Sequence, residues 1–84
     1  MNTNPTTNGI SNSIEKLLGN SDNFTFYKVS SVVSEITHKN VRPQQVRNYM
    51  LNGLIKWIET PEGRRIPREE AIRWITKYAT KHTA

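Results

Sequence analysis

The stretch from Val41 to Pro67 leaves this chain few folds to choose from. Pro43 suits the first turn of a helix, where its missing N–H costs nothing. Val46, Tyr49 and Met50 recur on one helical face, with Gln44, Arg47, Asn48 and Leu51 on the adjoining outer face. Asn52-Gly53 ends the helix, because glycine readily takes the left-handed conformation that closes one. Ile55-Lys56-Trp57-Ile58-Glu59 and Arg64-Arg65-Ile66 then read as two strands around Thr60-Pro61-Glu62-Gly63. A short polar helix, a glycine stop and a basic hairpin follow in immediate succession.

The flanking segments read as a scaffold. Residues 1–12 are rich in Asn, Thr, Ser, Pro and Gly, which predicts a flexible tail ahead of a single folded domain over residues 13–82. Asn12 and Glu15 have capping-box spacing, and Ile14, Leu17 and Leu18 form the stripe of a helix under two turns long that stops at Gly19. Phe24-Thr25-Phe26-Tyr27 suits a short strand or an extended lead-in. Val29, Val32, Val33 and Ile36 mark one apolar face of a helix, with Ser30, Ser31, Ser34 and Glu35 outside it. Thr37-His38-Lys39-Asn40 ends that helix. Pro67 opens a last helix with Glu69 and Glu70 in its first turn, where acids complement the helix dipole. Its apolar stripe is Ala71, Trp74, Ile75 and Tyr78, and Lys77 and Lys81 lie towards its end. The fold class is α+β, mainly α. A short N-terminal helix, a helix-turn-helix, a two-stranded wing and a C-terminal helix make up a winged helix-turn-helix.

Eighty-four residues without cysteine exclude a disulfide framework and a thiolate metal site. No apolar run approaches the ~20 residues that span a bilayer, and the first residues lack the pattern of a signal peptide. A cytoplasmic, nucleoid-associated protein without a membrane partner is the expectation. The net charge of +5 is uneven: residues 28–84 hold eleven basic and five acidic side chains, whereas residues 1–27 are slightly acidic. A basic half favours a polyanionic partner.

The chemistry of that half fits double-stranded DNA. Neutralising phosphates needs Lys and Arg, and reading base edges needs side chains that grip two atoms at once. Arg42, Gln44, Gln45, Arg47 and Asn48 concentrate these types at a helix start, whose free N–H groups also attract phosphate. Arg64 and Arg65 follow the hairpin turn, where a wing reaches the minor groove or flanking phosphates, with Lys56 and Thr60 beside them. Lys28 and Lys39 are expected at the DNA backbone. The same residues would also suit a solvated helix face and a charged strand edge.

Other chemistries find little support. Trp57, Trp74 and Tyr49 sit in amphipathic elements and read as packing rather than stacking platforms. His38 and His82 lack a carboxylate at ligand spacing, so neither a metal nor a cofactor is expected. Ser30-Ser31 lacks a nucleophile elbow and no glycine-rich phosphate loop is present, so no enzyme is expected.

Val46-Arg47-Asn48-Tyr49 followed by Asn52-Gly53-Leu54-Ile55 resembles the second helix of MerR-type winged helix-turn-helix domains. Thr60-Pro61-Glu62-Gly63-Arg64-Arg65-Ile66-Pro67-Arg68-Glu69-Glu70 is similar to the wing and following helix of that superfamily's small phage excisionases, and Tyr27 to Val33 resembles the start of their first helix. The resemblance spans roughly residues 26–80. It implies that Arg47 contacts DNA and that Arg64 and Arg65 act in the wing. Asn48 stands where the family often has an aromatic residue. The sequence ends at Ala84, before the long dimerising helix of full MerR regulators, so the likeness is to a stand-alone, excisionase-like module. Such proteins bind side by side on DNA, bend it and direct an integrase. A small transcriptional repressor or plasmid-partition protein would use the same fold. A protein-interaction adaptor on the same scaffold is the reading from another class.

Overall fold

The computed structural model describes the backbone of residues 5–82 and the side chains of residues 12–81. The described residues form four helices and a three-stranded antiparallel sheet, an α+β arrangement dominated by helix. The core is one cluster drawn from every helix, from two of the strands and from the chain after the third helix: Ile14, Phe24, Val33, Val46, Ile55, Ile66 and Ile75 are all buried in it. Burying each such side chain contributes roughly 1.5–3 kcal/mol.

Helix α1 (Pro5–Leu18) is twice the expected length. Asn12 therefore lies inside the helix and is not its cap. Once a turn is nucleated, each further residue costs little, so a segment of modest propensity joins the packed end. Of the tail expected over residues 1–12, residues 1–4 lie outside the described residues. Ile14 and Leu18 are buried against the last helix and the next one, whereas Leu17, expected on the same stripe, faces solvent. Gly19 ends α1 with φ +85°.

Strand β1 is only Asn23–Phe24. The longer strand expected there is cut short by Thr25, whose Oγ1 accepts from the Lys28 N–H at 3.1 Å and starts helix α2 (Phe26–Thr37). Thr is a preferred N-cap, so Phe26 and Tyr27 become helical rather than extended. Val29, Val32 and Val33 are buried as the spacing predicts, with Ile36 partly so. Ser30, expected outside, is buried too; its hydroxyl is satisfied by donating to the Tyr27 carbonyl at 2.9 Å. His38 closes α2 in the left-handed conformation, φ 57°.

A serine hydroxyl clamps the link to helix α3 (Pro43–Leu51). Ser34 Oγ donates to the Val41 carbonyl and accepts from the Val41 N–H, both at 3.0 Å. That clamp buries Val41 and sets where Pro43 begins the helix. Val46 and Met50 are buried, Tyr49 is half-buried, and the outer face is exposed as expected. Gly53, at φ +80°, donates to the Met50 carbonyl and turns the chain out of α3.

The hairpin strands are β2 (Ile58–Thr60) and β3 (Gly63–Pro67), paired so that Ile58 faces Arg65 and Thr60 faces Gly63. β3 is central, and its Ile66 pairs with Phe24 of β1. Ile55, Lys56 and Trp57, expected in the first strand, lie before it. In the register of the hairpin this segment would run past Pro67, where the partner strand ends, and Glu70 Oε2 accepts from the Lys56 N–H at 3.0 Å, which withdraws that donor from strand pairing. Pro67 closes β3 instead of opening the last helix, α4 (Arg68–His82). Arg68 ties this junction to the α1–β1 loop: its N–H donates to the Asp22 carbonyl at 2.8 Å and its guanidinium to the Gly19 and Ser21 carbonyls. Among the described residues no helix is long and apolar enough to cross a membrane.

Glu70 is buried rather than merely placed for the helix dipole. The Arg73 guanidinium, at 3.1 Å from Nε to Oε1, holds its carboxyl below the ordinary value near 4.5; burial opposes this and the Lys56 N–H assists it. A carboxyl whose pKa is lowered by folding adds stability above its unfolded pKa, and that stability is lost as pH falls through the folded value. Glu70→Gln should lower stability at pH 7 by about 1–3 kcal/mol, with the gap narrowing below pH 4.5. Urea denaturation at pH 7 and pH 3 checks this; an equal gap at both would show that the charge is irrelevant.

Candidate nucleic-acid interface

Arg42, Gln44, Gln45, Arg47 and Asn48 project from the start of α3, and all are exposed. Arg42 is the N-cap residue, in an extended conformation. Gln45 reaches back so that its Oε1 accepts from the Arg42 N–H at 2.9 Å. This leaves Gln45 its amide donors but spends its acceptor on the cap. No carboxylate pairs with Arg42 or Arg47 among the described residues. Their charge is therefore available to a ligand.

An open groove runs between this helix start and the start of α2, lined by Phe26 and Tyr27 on one side and by Arg42, Gln44, Gln45 and Arg47 on the other. Tyr27 is 64% exposed and its ring stacks on Phe26, with centroids 4.5 Å apart. Two helix N-termini and two unpaired arginines thus meet in one trough, an arrangement suited to an anionic backbone. Residue type and periodicity do not single out Tyr27. Its signal was the Thr25 cap, which makes position 27 helical and points it away from the Val29–Val33 face. Asn48 lies on the outer face of α3 but not in the groove, and neither Lys28 nor Lys39 lines it, although both are exposed.

The hairpin residues do not line this groove. The hairpin also separates its two arginines. Arg64 is exposed, its guanidinium 4.6 Å from the centroid of the Trp57 ring. That contact holds a cation outward at little entropic cost, and exposed pairs of this kind are worth about 0.5–1 kcal/mol. Arg65 curls back, its Nη1 donating to the carbonyls of Arg64 at 3.1 Å and Glu62 at 3.4 Å. Thr60 is likewise engaged: Oγ1 donates to the Gly63 carbonyl at 2.7 Å and accepts from the Glu62 N–H at 3.2 Å. Thr60 and Arg65 therefore shape the turn, and Arg64 is its projecting charge. Lys56 keeps an exposed side chain while its N–H is held by Glu70.

Among the described residues no three His, Asp or Glu side chains gather where they could hold a metal ion. No protein-family model matches the chain, and no curated protein or solved structure is significantly similar to it.

If Thr60 braces the turn, Thr60→Val should cost about 1 kcal/mol and speed amide exchange at Glu62. Hydrogen-exchange NMR measures both; unchanged exchange at Glu62 would remove the brace.

Proposed function

We propose that this chain is a sequence-specific binder of double-stranded DNA, built as a winged helix-turn-helix. Helix α3 enters the major groove, and the β2–β3 hairpin is the wing. The observation that carries this reading is the groove at the start of α3, where the unpaired Arg42 and Arg47 stand beside Gln44 and Tyr27. Arg47 and Gln44 read base edges, since both present paired hydrogen-bonding atoms. Arg42 and the two helix N-termini take the backbone, and Arg64 takes the minor groove or its phosphates. No catalytic role belongs to this proposal.

Within the class, the proposal is a MerR-like excisionase or a similar architectural protein. Its support is the likeness of Thr60 to Glu70 and of Val46 to Ile55 to that group. Repression and plasmid partition use the same contacts. Footprinting separates them by the arrangement of sites, with tandem repeats expected for side-by-side binding.

Arg47→Ala should weaken binding to the preferred site by about 1–3 kcal/mol and relax its specificity. Arg64→Ala should weaken all sequences alike and reduce the salt slope by about 1. Fluorescence anisotropy on specific and scrambled duplexes across a salt series measures both. An unmodified protein that bound no duplex at low salt, about 50 mM, would end the proposal.

A further inference from the structure

A second surface lies on α4, outside the groove at the start of α3. Its floor is an aromatic ladder: Tyr49 packs on Trp74 at 5.4 Å between centroids, and Trp74 on Tyr78 at 5.1 Å. Leu54 forms one rim and is 58% exposed. The other rim is a basic stripe. Arg73, Lys77 and Lys81 recur every four residues along α4 and are all exposed. Glu70 pairs with Arg73, whereas Lys77 and Lys81 have no ion pair among the described residues. The trough holds about 220 Å³. That is below the roughly 300 Å³ at which small-molecule sites begin, and suits single side chains of a larger partner.

From this juxtaposition we infer that the α4 trough docks an acidic segment of a partner protein, with an aliphatic or aromatic side chain seated between Leu54 and the aromatic ladder and carboxylates along Lys77 and Lys81. Duplex DNA fits the observations less well. Phosphates would satisfy the lysines but leave Leu54 uncovered, and Trp74 is too buried for a base to stack on it. An amphipathic acidic helix uses both halves of the surface, laying its apolar stripe in the groove and its charges on the rim. The site is independent of DNA binding at α3, so either proposal can fail alone.

The test uses the full chain and a synthetic probe, an acidic amphipathic peptide of about 18 residues, five helical turns, with Leu and Phe along one stripe. Titration should shift the NMR signals of Leu54, Trp74 and Lys77. Leu54→Ala and the double change Lys77→Ala with Lys81→Ala should each weaken peptide binding about tenfold, while duplex affinity stays within about twofold near physiological salt. Four results would overturn the inference. The first is a peptide that leaves those signals unmoved. The second is equal binding by a peptide with its Leu and Phe changed to Ser, which would reduce the contact to charge alone. The third is a lysine variant that loses duplex affinity as strongly as Arg47→Ala, which would make the stripe a nucleic-acid surface. The fourth is self-association in sedimentation that Leu54→Ala abolishes, which would give the trough to a second copy.

Discussion

One buried carboxylate governs how helix α3 is joined to the hairpin. Glu70 sits in the first turn of α4, yet it accepts from the backbone of Lys56, between α3 and the hairpin. Arg73 neutralises it from the next turn. A buried charge is tolerated only when paired and hydrogen-bonded, and here both conditions are met by groups that must be correctly placed. The chain leaving α3 is thereby anchored to α4 before the hairpin begins. Ile55, just ahead of the anchor, is buried, and Trp57, just beyond it, supports Arg64.

The other junctions follow the same economy. Ser34 clamps Val41 and so sets the start of α3, and Arg68 ties the start of α4 to the loop after α1. These connections use side chains bonding to backbone, which suits a small domain whose apolar core is limited. Among the described residues, cations without an ion pair gather in two places. One is the groove shared by the starts of α2 and α3. The other is the trough beside α4, where lysines border exposed Leu54.

Much of the layout was legible in the sequence because periodicity and stop signals agreed. Val29, Val32 and Val33 marked α2, Pro43 and Gly53 bounded α3, and Gly63 closed the hairpin turn at φ +119°. One misreading reflects a long-range side chain–backbone bond: Glu70 holds the Lys56 N–H across fourteen residues, and periodicity cannot foresee such a partner. The length of α1 escaped because it depends on packing rather than propensity. For the site, residue types at the start of α3 were readable, but not that Gln45 would cap the helix, that Arg65 would fold onto its own turn, or that Tyr27 would face Arg42 and Arg47. Thr25 was the one local clue passed over, since an N-cap there decides both the end of β1 and the direction of Tyr27.

The central claim is that the start of α3 and the hairpin together meet duplex DNA. Amide chemical-shift mapping of the full chain against a specific duplex examines it most directly. The account predicts perturbations at Tyr27, across Arg42 to Asn48 and at Arg64, with Lys77 and Lys81 unmoved. Shifts confined to α4, or none at duplex excess in low salt, would contradict it.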